Sequence, residues 1–277
     1  MGAVLLGLLS AVGYGFGDFF GASSAKRAPA ISVGLVAAGV GLTIGFVTAL
    51  VVPGDPITTD LLWGSIAGIS GVIGIVVVFW AMAIGPMRVV APLAAVVGAV
   101  VPFVVGLAIG ERPGRVATLG AFLAIVALPL ITREHHHDDE PVTIQAVYGG
   151  IVAGLGFAGF FIAIDQVSEA SGLWPLVAAR LITTLILAGI VLGSSLPAMP
   201  PTARRLAVAA GIFDMGANIA FLLALRTGLL GLVAVLSSLY PIITIALARS
   251  VYHEGIGRTQ ASGIAIALAG TALIAAG

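Results

Sequence analysis

Apolar segments of helix length, separated by short polar or proline-rich stretches, follow one another along the whole chain. A helix needs about 20 apolar residues to cross a hydrocarbon core about 30 Å thick, and backbone in contact with lipid must satisfy its own hydrogen bonds. The pattern therefore predicts transmembrane helices. We predict ten spans, near residues 3–22, 31–52, 61–84, 88–109, 115–132, 145–164, 173–193, 204–225, 229–251 and 258–276.

The second half of the chain resembles the first at a constant offset of 143 residues. Glu111 and Arg115 correspond to Glu254 and Arg258 in this register, and small residues match on both sides of them. A fixed period of this kind indicates an internal repeat. The predicted organisation is repeat one at 1–134, a polar linker at 135–143 and repeat two at 144–277, with five spans in each repeat.

Five spans is an odd number, so two halves that fold alike must cross the membrane in opposite senses. Lys and Arg residues of membrane proteins are concentrated in cytoplasmic loops. In this chain a loop that carries positive charge in one half corresponds to a loop without it in the other: Lys26 and Arg27 correspond to Glu169 and Ala170. One side would carry Lys26, Arg27, Arg88, Arg133, Arg204, Arg205, Arg249 and Arg258, and the other Arg112, Arg115 and Arg226. We predict an all-α integral membrane protein of two inverted five-helix repeats, with both termini outside.

The composition excludes several other classes of protein. Of the 277 residues, 60% are hydrophobic and 9% are charged, against roughly 45–50% and ~25% in soluble domains. The 12 basic and 12 acidic residues cancel, so no basic surface attracts nucleic acid. The absence of cysteine excludes disulfides and thiolate metal sites. We expect a multi-pass protein of the cell membrane, plasma or inner.

Polar side chains inside the predicted spans are the candidates for a binding or coupling site, because each is costly in lipid unless it meets a partner or a wet cavity. In the first span Ser10, Tyr14 and Asp18 recur every four residues and so share one helix face. In the eighth span Asp214 and Asn218 share a face near mid-membrane.

An ion pair between Arg180 of the seventh span and Asp214 is geometrically possible from the rise of the two helices. A structural role for this pair and a functional one are equally compatible with the sequence. In the functional alternative, Asp214 carries a proton or meets a substrate amine.

The ninth span adds polar residues at a similar depth, Ser237 and Tyr240. Prolines inside helices free a backbone carbonyl and permit a kink, so we take Pro92, Pro102 and Pro241 as hinge candidates. Trp80 and Phe157 are candidates for stacking an aromatic or apolar substrate, with helix packing as the alternative.

Two further polar groups invite simpler explanations. Glu111 precedes Arg115 by four residues, the order that favours an intrahelical pair, and Glu254 precedes Arg258 in the same way. We interpret these residues as helix-start and topology features, with a role in gating as the alternative. The linker residues His135, His136, His137, Asp138, Asp139 and Glu140 include metal-binding types, but we interpret them as a solvated polar segment. No metal site and no cofactor are predicted.

The repeat ends resemble the drug/metabolite transporter superfamily, specifically the EamA-type ten-helix transporters. The resemblance rests on Gly106-Leu-Ala-Ile-Gly-Glu111 continuing to Gly120, on Arg249-Ser-Val-Tyr-His-Glu254 continuing to Gly263, and on Pro175-Leu-Val-Ala-Ala-Arg180. His253 departs from the glycine of the family pattern. The resemblance implies secondary carriers or exporters of amino acids, other metabolites and drugs, with a central cavity lined mainly by the first, third and fourth helices of each half.

Our leading hypothesis is a monomeric secondary transporter that moves a small organic molecule by alternating access, with proton coupling as one option. The chain has no Walker-type phosphate-binding loop, which excludes ATP as its direct energy source. An intramembrane enzyme is a weaker alternative, because His-Glu-x-x-His and Gly-x-Ser-x-Gly are absent. A non-transporting scaffold or accessory subunit is the other alternative.

Overall fold

The computed structural model describes residues 1–84, 87–131, 143–252 and 257–277, and every regular element in these ranges is a helix. A 3₁₀ turn at Glu169–Ser171 precedes the seventh helix. The α-helices are α1 (Gly2–Ala25), α2 (Ala30–Val51), α3 (Thr58–Ile84), α4 (Met87–Ala108), α5 (Arg115–Ile131), α6 (Ile144–Asp165), α7 (Trp174–Leu192), α8 (Pro201–Leu225), α9 (Leu230–Ser237), α10 (Pro241–Tyr252) and α11 (Arg258–Ala276).

Eight candidate membrane spans are long and apolar enough to cross a bilayer within the described ranges. They comprise α1, α2, α3, α6, α7, α8, the stretch Leu230–Leu247 and α11. Two shorter apolar helices, Leu93–Ala108 and Arg115–Ile131, cover most of the fourth and fifth predicted spans. The prediction of an all-helical, multi-pass membrane protein is confirmed. The cluster from His135 to Glu140, Glu254 and the side chain of Pro92 lie outside the described residues.

The ninth predicted span is not one continuous helix. A turn at Ser238–Tyr240 separates α9 from α10, and Pro241 is the first residue of α10. Within the turn the spacing of the hydrogen bonds tightens, because the Leu239 amide donates to the Leu236 carbonyl rather than to the residue four positions earlier. Proline has no amide hydrogen and cannot continue the helical ladder. The predicted span over 229–251 thus corresponds to the candidate membrane span Leu230–Leu247, interrupted at this turn.

Helices of the first half pack mainly on helices of the second half. The principal partners are α1 with α8, α3 with α6 and α7, α2 with α7 and α8, α4 with α6 and α9, and α5 with α11. Exchanging each helix with its counterpart at the 143-residue offset converts the α1–α8 pair into α6–α3 and the α2–α8 pair into α7–α3. The core of the molecule thus lies between the halves.

Glycines allow the closest of these helix crossings. A Cβ atom at Gly68 of α3 would lie 2.4 Å from the Ala179 carbonyl oxygen of α7, and one at Gly211 of α8 would lie 2.4 Å from the Ala37 carbonyl oxygen of α2. Both distances are far below van der Waals contact, so neither position accepts a larger residue without a shift of the helices. Small residues of this kind let backbones approach where no hydrophobic effect drives helices together in lipid.

Hydrogen bonds to a buried carboxylate, that of Asp60 at the start of α3, join the halves at one end of the bundle. Its Oδ2 accepts from the Ser168 amide (3.1 Å), the Ser168 hydroxyl (2.5 Å) and the Ser171 hydroxyl (2.6 Å). We call this the Asp60 end. At the opposite end, the Ser24 hydroxyl donates to the Ala203 carbonyl at 2.8 Å.

Glu111 also joins the halves at the Asp60 end. It lies in the loop before α5, which begins at Arg115, so the expected intrahelical pair with Arg115 was wrong. Its carboxylate instead accepts from the backbone amides of Leu230 and, at 3.1 Å, Gly231 at the start of α9. A negative charge is favourable there because amides at a helix N-terminus have no intrahelical acceptor.

We expect Gly68→Ala to destabilise the protein while Gly39→Ala does not. The new methyl group at Gly68 must displace α7 and should cost about 1–3 kcal/mol, whereas a Cβ at Gly39 of α2 meets nothing within 4 Å. Thermal unfolding of the two purified variants in one detergent tests this. Equal midpoints would contradict the close contact between α3 and α7.

We expect Asp60→Ala to lower the free energy of unfolding by at least about 1.5–3 kcal/mol, the contribution of one hydrogen bond to a charged group. Asp55→Ala is the matched control, because Asp55 is an exposed carboxylate in the preceding loop. Chemical unfolding in detergent measures both variants. The carboxylate has no structural role if the two variants unfold alike.

Candidate functional site

The first and eighth helices approach closely enough to bring their polar faces together. A Cβ atom at Gly13 of α1 would lie 2.8 Å from the Ala217 Cβ of α8, and one at Gly17 would lie 3.4 Å from the Asp214 amide nitrogen. Gly13 and Gly17 are four residues apart and so form one groove along α1. Sequence reasoning missed this groove, although the spacing of the two glycines was a readable signal.

Asn218 connects the two helices. The Tyr14 hydroxyl donates to its side-chain oxygen at 3.1 Å, and its side-chain nitrogen donates to the Asp214 carbonyl at 2.6 Å. Asn218 is buried, and all three residues lie near the middle of their helices. Because both the oxygen and the nitrogen of the buried Asn218 side chain are hydrogen-bonded, the amide is fixed and holds the phenol of Tyr14 against α8.

Arg180 and Asp214 form a salt bridge between α7 and α8, through Nη2 and Oδ2. The side chain of Arg180 is 12% exposed and that of Asp214 is 32% exposed, so the carboxylate keeps one side open beside its partner. Gly41 of α2 lies beside the arginine, since a Cβ there would be in van der Waals contact with Arg180 Cδ at 3.4 Å. The pair that the sequence made geometrically possible is present, and it joins Asn218 and Tyr14 in one network across three helices.

The turn in the ninth span contacts the same region of α1. The ring of Tyr240 meets that of Tyr14 edge to face, with centroids 6.4 Å apart. The Thr244 hydroxyl lies 3.3 Å from the Gly15 carbonyl, to which it donates. The break at Ser238–Tyr240 thus lies against the polar stripe of the first helix.

The remaining polar candidates surround this network in different environments. Ser10 and Ser237 are fully buried, and their hydroxyl oxygens have no hydrogen-bond partner among the described residues. Asp18 follows Tyr14 by one helical turn on α1 and is exposed. Free hydroxyls and an exposed carboxylate therefore flank the Tyr14–Asn218–Asp214–Arg180 network, which we call the polar network.

One side of the polar network is aromatic. The ring of Phe161 in α6 packs against Tyr14, with centroids 6.3 Å apart, and stacks on Phe221 of α8 at 4.4 Å. Phe161 was not a site candidate from the sequence, because an aromatic residue in an apolar span gives no signal of which face it occupies. Phe161 therefore places an aromatic surface of α6 beside the phenol of Tyr14.

Trp80 and Phe157 lie elsewhere. Trp80 is 51% exposed, and its ring lies 3.2 Å from the position of a Cβ at Gly149 of α6. Phe157 packs between Gly74 of α3 and Gly98 of α4. Neither joins the polar network through a contact within the described part of the chain.

The two described hinge candidates differ in their surroundings. Pro102 is buried within α4, which continues through it from Met87 to Ala108. Pro241 starts α10 at the break in the ninth span. A break of the helix therefore accompanies Pro241 and not Pro102.

The site offers a carboxylate, a guanidinium, two phenols, an amide and hydroxyl groups, within reach of aromatic surface. Among the described residues no group of three His, Cys, Asp or Glu could hold a metal ion. These functional groups suit binding of a small molecule by hydrogen bonds and charge.

Comparisons with known proteins agree with this architecture. The sequence model of the EamA-like transporter family matches residues 144–276. Twenty-nine chains of solved structures match this chain. One of them, a crystal structure, aligns with a TM-score of 0.79 and 17% sequence identity, and the alignment covers 98% of this chain and 95% of the other. That likeness shows the fold alone. No curated protein matches the chain. The second half of the chain, residues 144–276, thus matches the EamA-like transporter family.

Proposed function

We propose that this protein is a secondary transporter that moves a small organic molecule across the cell membrane by alternating access, through ten spans in two inverted five-helix repeats. The match of residues 144–276 to a transporter family is consistent with a protein that is not an enzyme. The observation that carries the proposal is the polar network, in which a charged pair and a buried amide of the second half meet the phenol of Tyr14 from the first half, near the middle of membrane-spanning helices.

The helix pairing supports the inverted repeat. Each principal contact between the halves has a counterpart when the halves are exchanged, including the glycine contacts at Gly68 and Gly211, which are themselves 143 residues apart. Inverted repeats around a site at the midplane are the construction by which many secondary carriers alternate access. The positive charge in corresponding loops supports the opposite orientation of the two repeats.

The polar network supports a role in binding more than one in stability alone. A charge inside the membrane is costly and is usually retained where it meets a substrate, an ion or a water-filled path. Asp214 keeps a third of its side chain exposed beside its arginine, and the exposed Asp18 lies one turn from Tyr14. A carboxylate that remains accessible is suited to carry a proton or to meet an ammonium group.

The same functional groups limit the class of substrate. Carboxylates favour a cationic or zwitterionic molecule, and the phenols with Phe161 favour an apolar or aromatic portion. An amino acid, an amine or an amine-containing drug-like compound has this chemistry. The break before Pro241 places a hinge candidate directly beside Tyr14.

We expect Asp214→Asn to reduce flux at least tenfold, or to abolish its pH dependence, in proteoliposomes tested with amino acids, amines and drug-like compounds. Asp55→Asn, in an exposed loop, is the matched control. Unchanged flux across pH in the Asp214 variant would remove this residue from the mechanism. Folded wild-type protein that moves none of these compounds would exclude the transport function and favour a scaffold.

The double variant Arg180→Gln/Asp214→Asn separates binding from structure. Removing one partner of a buried pair leaves an uncompensated charge and costs about 3–5 kcal/mol, whereas removing both costs much less. We expect the double variant to regain thermal stability relative to Asp214→Asn but not flux. Recovery of both would make the pair purely structural.

A further inference from the structure

A cavity of about 310 Å³ opens at the Asp60 end, between the last turn of α6 and the last turn of α8. Its polar lining includes Asp165, Ser168 and Glu169 from α6 and the following loop, and Arg226 from the end of α8. The buried side chains of Ile164 and Leu222 form part of its apolar wall. The cavity contains none of the residues of the polar network, so it is a separate feature of the molecule.

Opposite charges line this cavity without neutralising each other. No ion pair joins Arg226 to Asp165 or Glu169 within the described part of the chain. One guanidinium nitrogen of Arg226, Nη2, donates to the Gly172 carbonyl at 2.8 Å, while its Nε is buried without an acceptor. A backbone carbonyl therefore fixes the position of the positive group and no carboxylate compensates its charge.

We propose that the cavity is a second binding site, for a small zwitterion. An anionic group on the ligand would pair with Arg226, and its ammonium group would pair with Asp165 and Glu169. A simple cation would leave the guanidinium uncompensated. A simple anion would leave Asp165, which among the described residues accepts only from the Gln166 side chain at 3.2 Å, and Glu169 without an opposite charge. A molecule that carries both charges pairs with the charged groups at both ends of the cavity.

The size and the apolar wall specify the ligand further. Ligand cavities usually measure about 300–1,000 Å³, so this one is at the small end and suits a molecule of amino-acid size. Ile164 and Leu222 offer a surface for an aliphatic side chain. A free α-amino acid has this chemistry, and so does the ammonium phosphate head group of a zwitterionic lipid, which would reach the helix ends from the bilayer.

The inference goes beyond the proposed transport function, because the cavity is defined by residues that the polar network does not use. Binding at equilibrium tests it without any measurement of flux. Failure here leaves the transport proposal intact, and a protein without flux would still bind the zwitterion.

The test measures binding of L-leucine to purified protein in a nonionic detergent by calorimetry, in an Arg180→Gln/Asp214→Asn background that removes both charges of the polar network. We expect leucine to bind, and isopentylamine and 4-methylpentanoate, which each carry one of its charges, to bind at least tenfold more weakly. Amine binding as tight as that of leucine would identify a cation site and overturn the proposal.

Two variants locate the binding. Glu169→Gln changes an exposed side chain and keeps the fold, and Arg226→Gln removes the guanidinium; each should weaken leucine binding at least tenfold, with thermal unfolding as the check on folding. Leucine binding that both variants retain in full would overturn the site.

A second experiment, with lipids, distinguishes a free amino acid from a lipid head group as the source of the zwitterion. Protein in nanodiscs with phosphatidylethanolamine is compared by native mass spectrometry with protein in nanodiscs that contain only phosphatidylglycerol. Retained phosphatidylethanolamine that is lost in Arg226→Gln, without leucine binding in detergent, would assign the site to a lipid head group. Neither leucine binding nor specific lipid retention would refute the site.

Discussion

Close contact between helix backbones is the constraint on which the rest of this structure depends. In a bilayer the lipid tails are as apolar as the helix surfaces, so helices associate through packing and hydrogen bonds rather than through the hydrophobic effect. Glycines at positions 13, 68 and 211 allow α1 to meet α8, α3 to meet α7 and α8 to meet α2 at distances that no side chain permits. Because these contacts join the two halves, neither half has a complete core of its own.

The polar network is a consequence of the same contacts. Tyr14 reaches Asn218 where Gly13 lets α8 lie close against the first helix. Arg180 reaches Asp214 beside Gly41 of α2, whose position lies in van der Waals reach of the arginine side chain. Small residues thus determine where charged and hydrogen-bonding groups can meet inside the membrane, and the chemistry of the candidate site follows from the packing.

The sequence predicted the helices well, because the bilayer thickness sets the length of a spanning apolar segment, and that length can be measured locally along the chain. It also indicated the Arg180–Asp214 pair, since the rise per residue places both side chains at similar depths. The sequence indicated a possible kink at Pro241 but not a full break at Ser238–Tyr240, because apolar residues continue on both sides and a proline can also be accommodated within a helix, as Pro102 is in α4.

Other features depend on contacts between distant residues. Glu111 caps a helix 119 residues away, and no spacing rule relates two such positions. The locations of Trp80 and Phe157 outside the polar network, and of Phe161 beside it, depend on which helix face meets which neighbour. An apolar span contains little information about that choice, because nearly every face of it is compatible with lipid.

The hydrogen bonds around Asp60 have a further consequence if the halves exchange conformations as proposed. At the offset of 143 residues Asp60 corresponds to Ala203, which contributes to the opposite end only a backbone carbonyl bonded to Ser24. The two access states of the empty protein are then unequal in free energy, and every 1.4 kcal/mol of that difference changes their population ratio tenfold. The carrier would rest closed at the Asp60 end, with its affinity for substrate depending on the side of the membrane from which the substrate arrives.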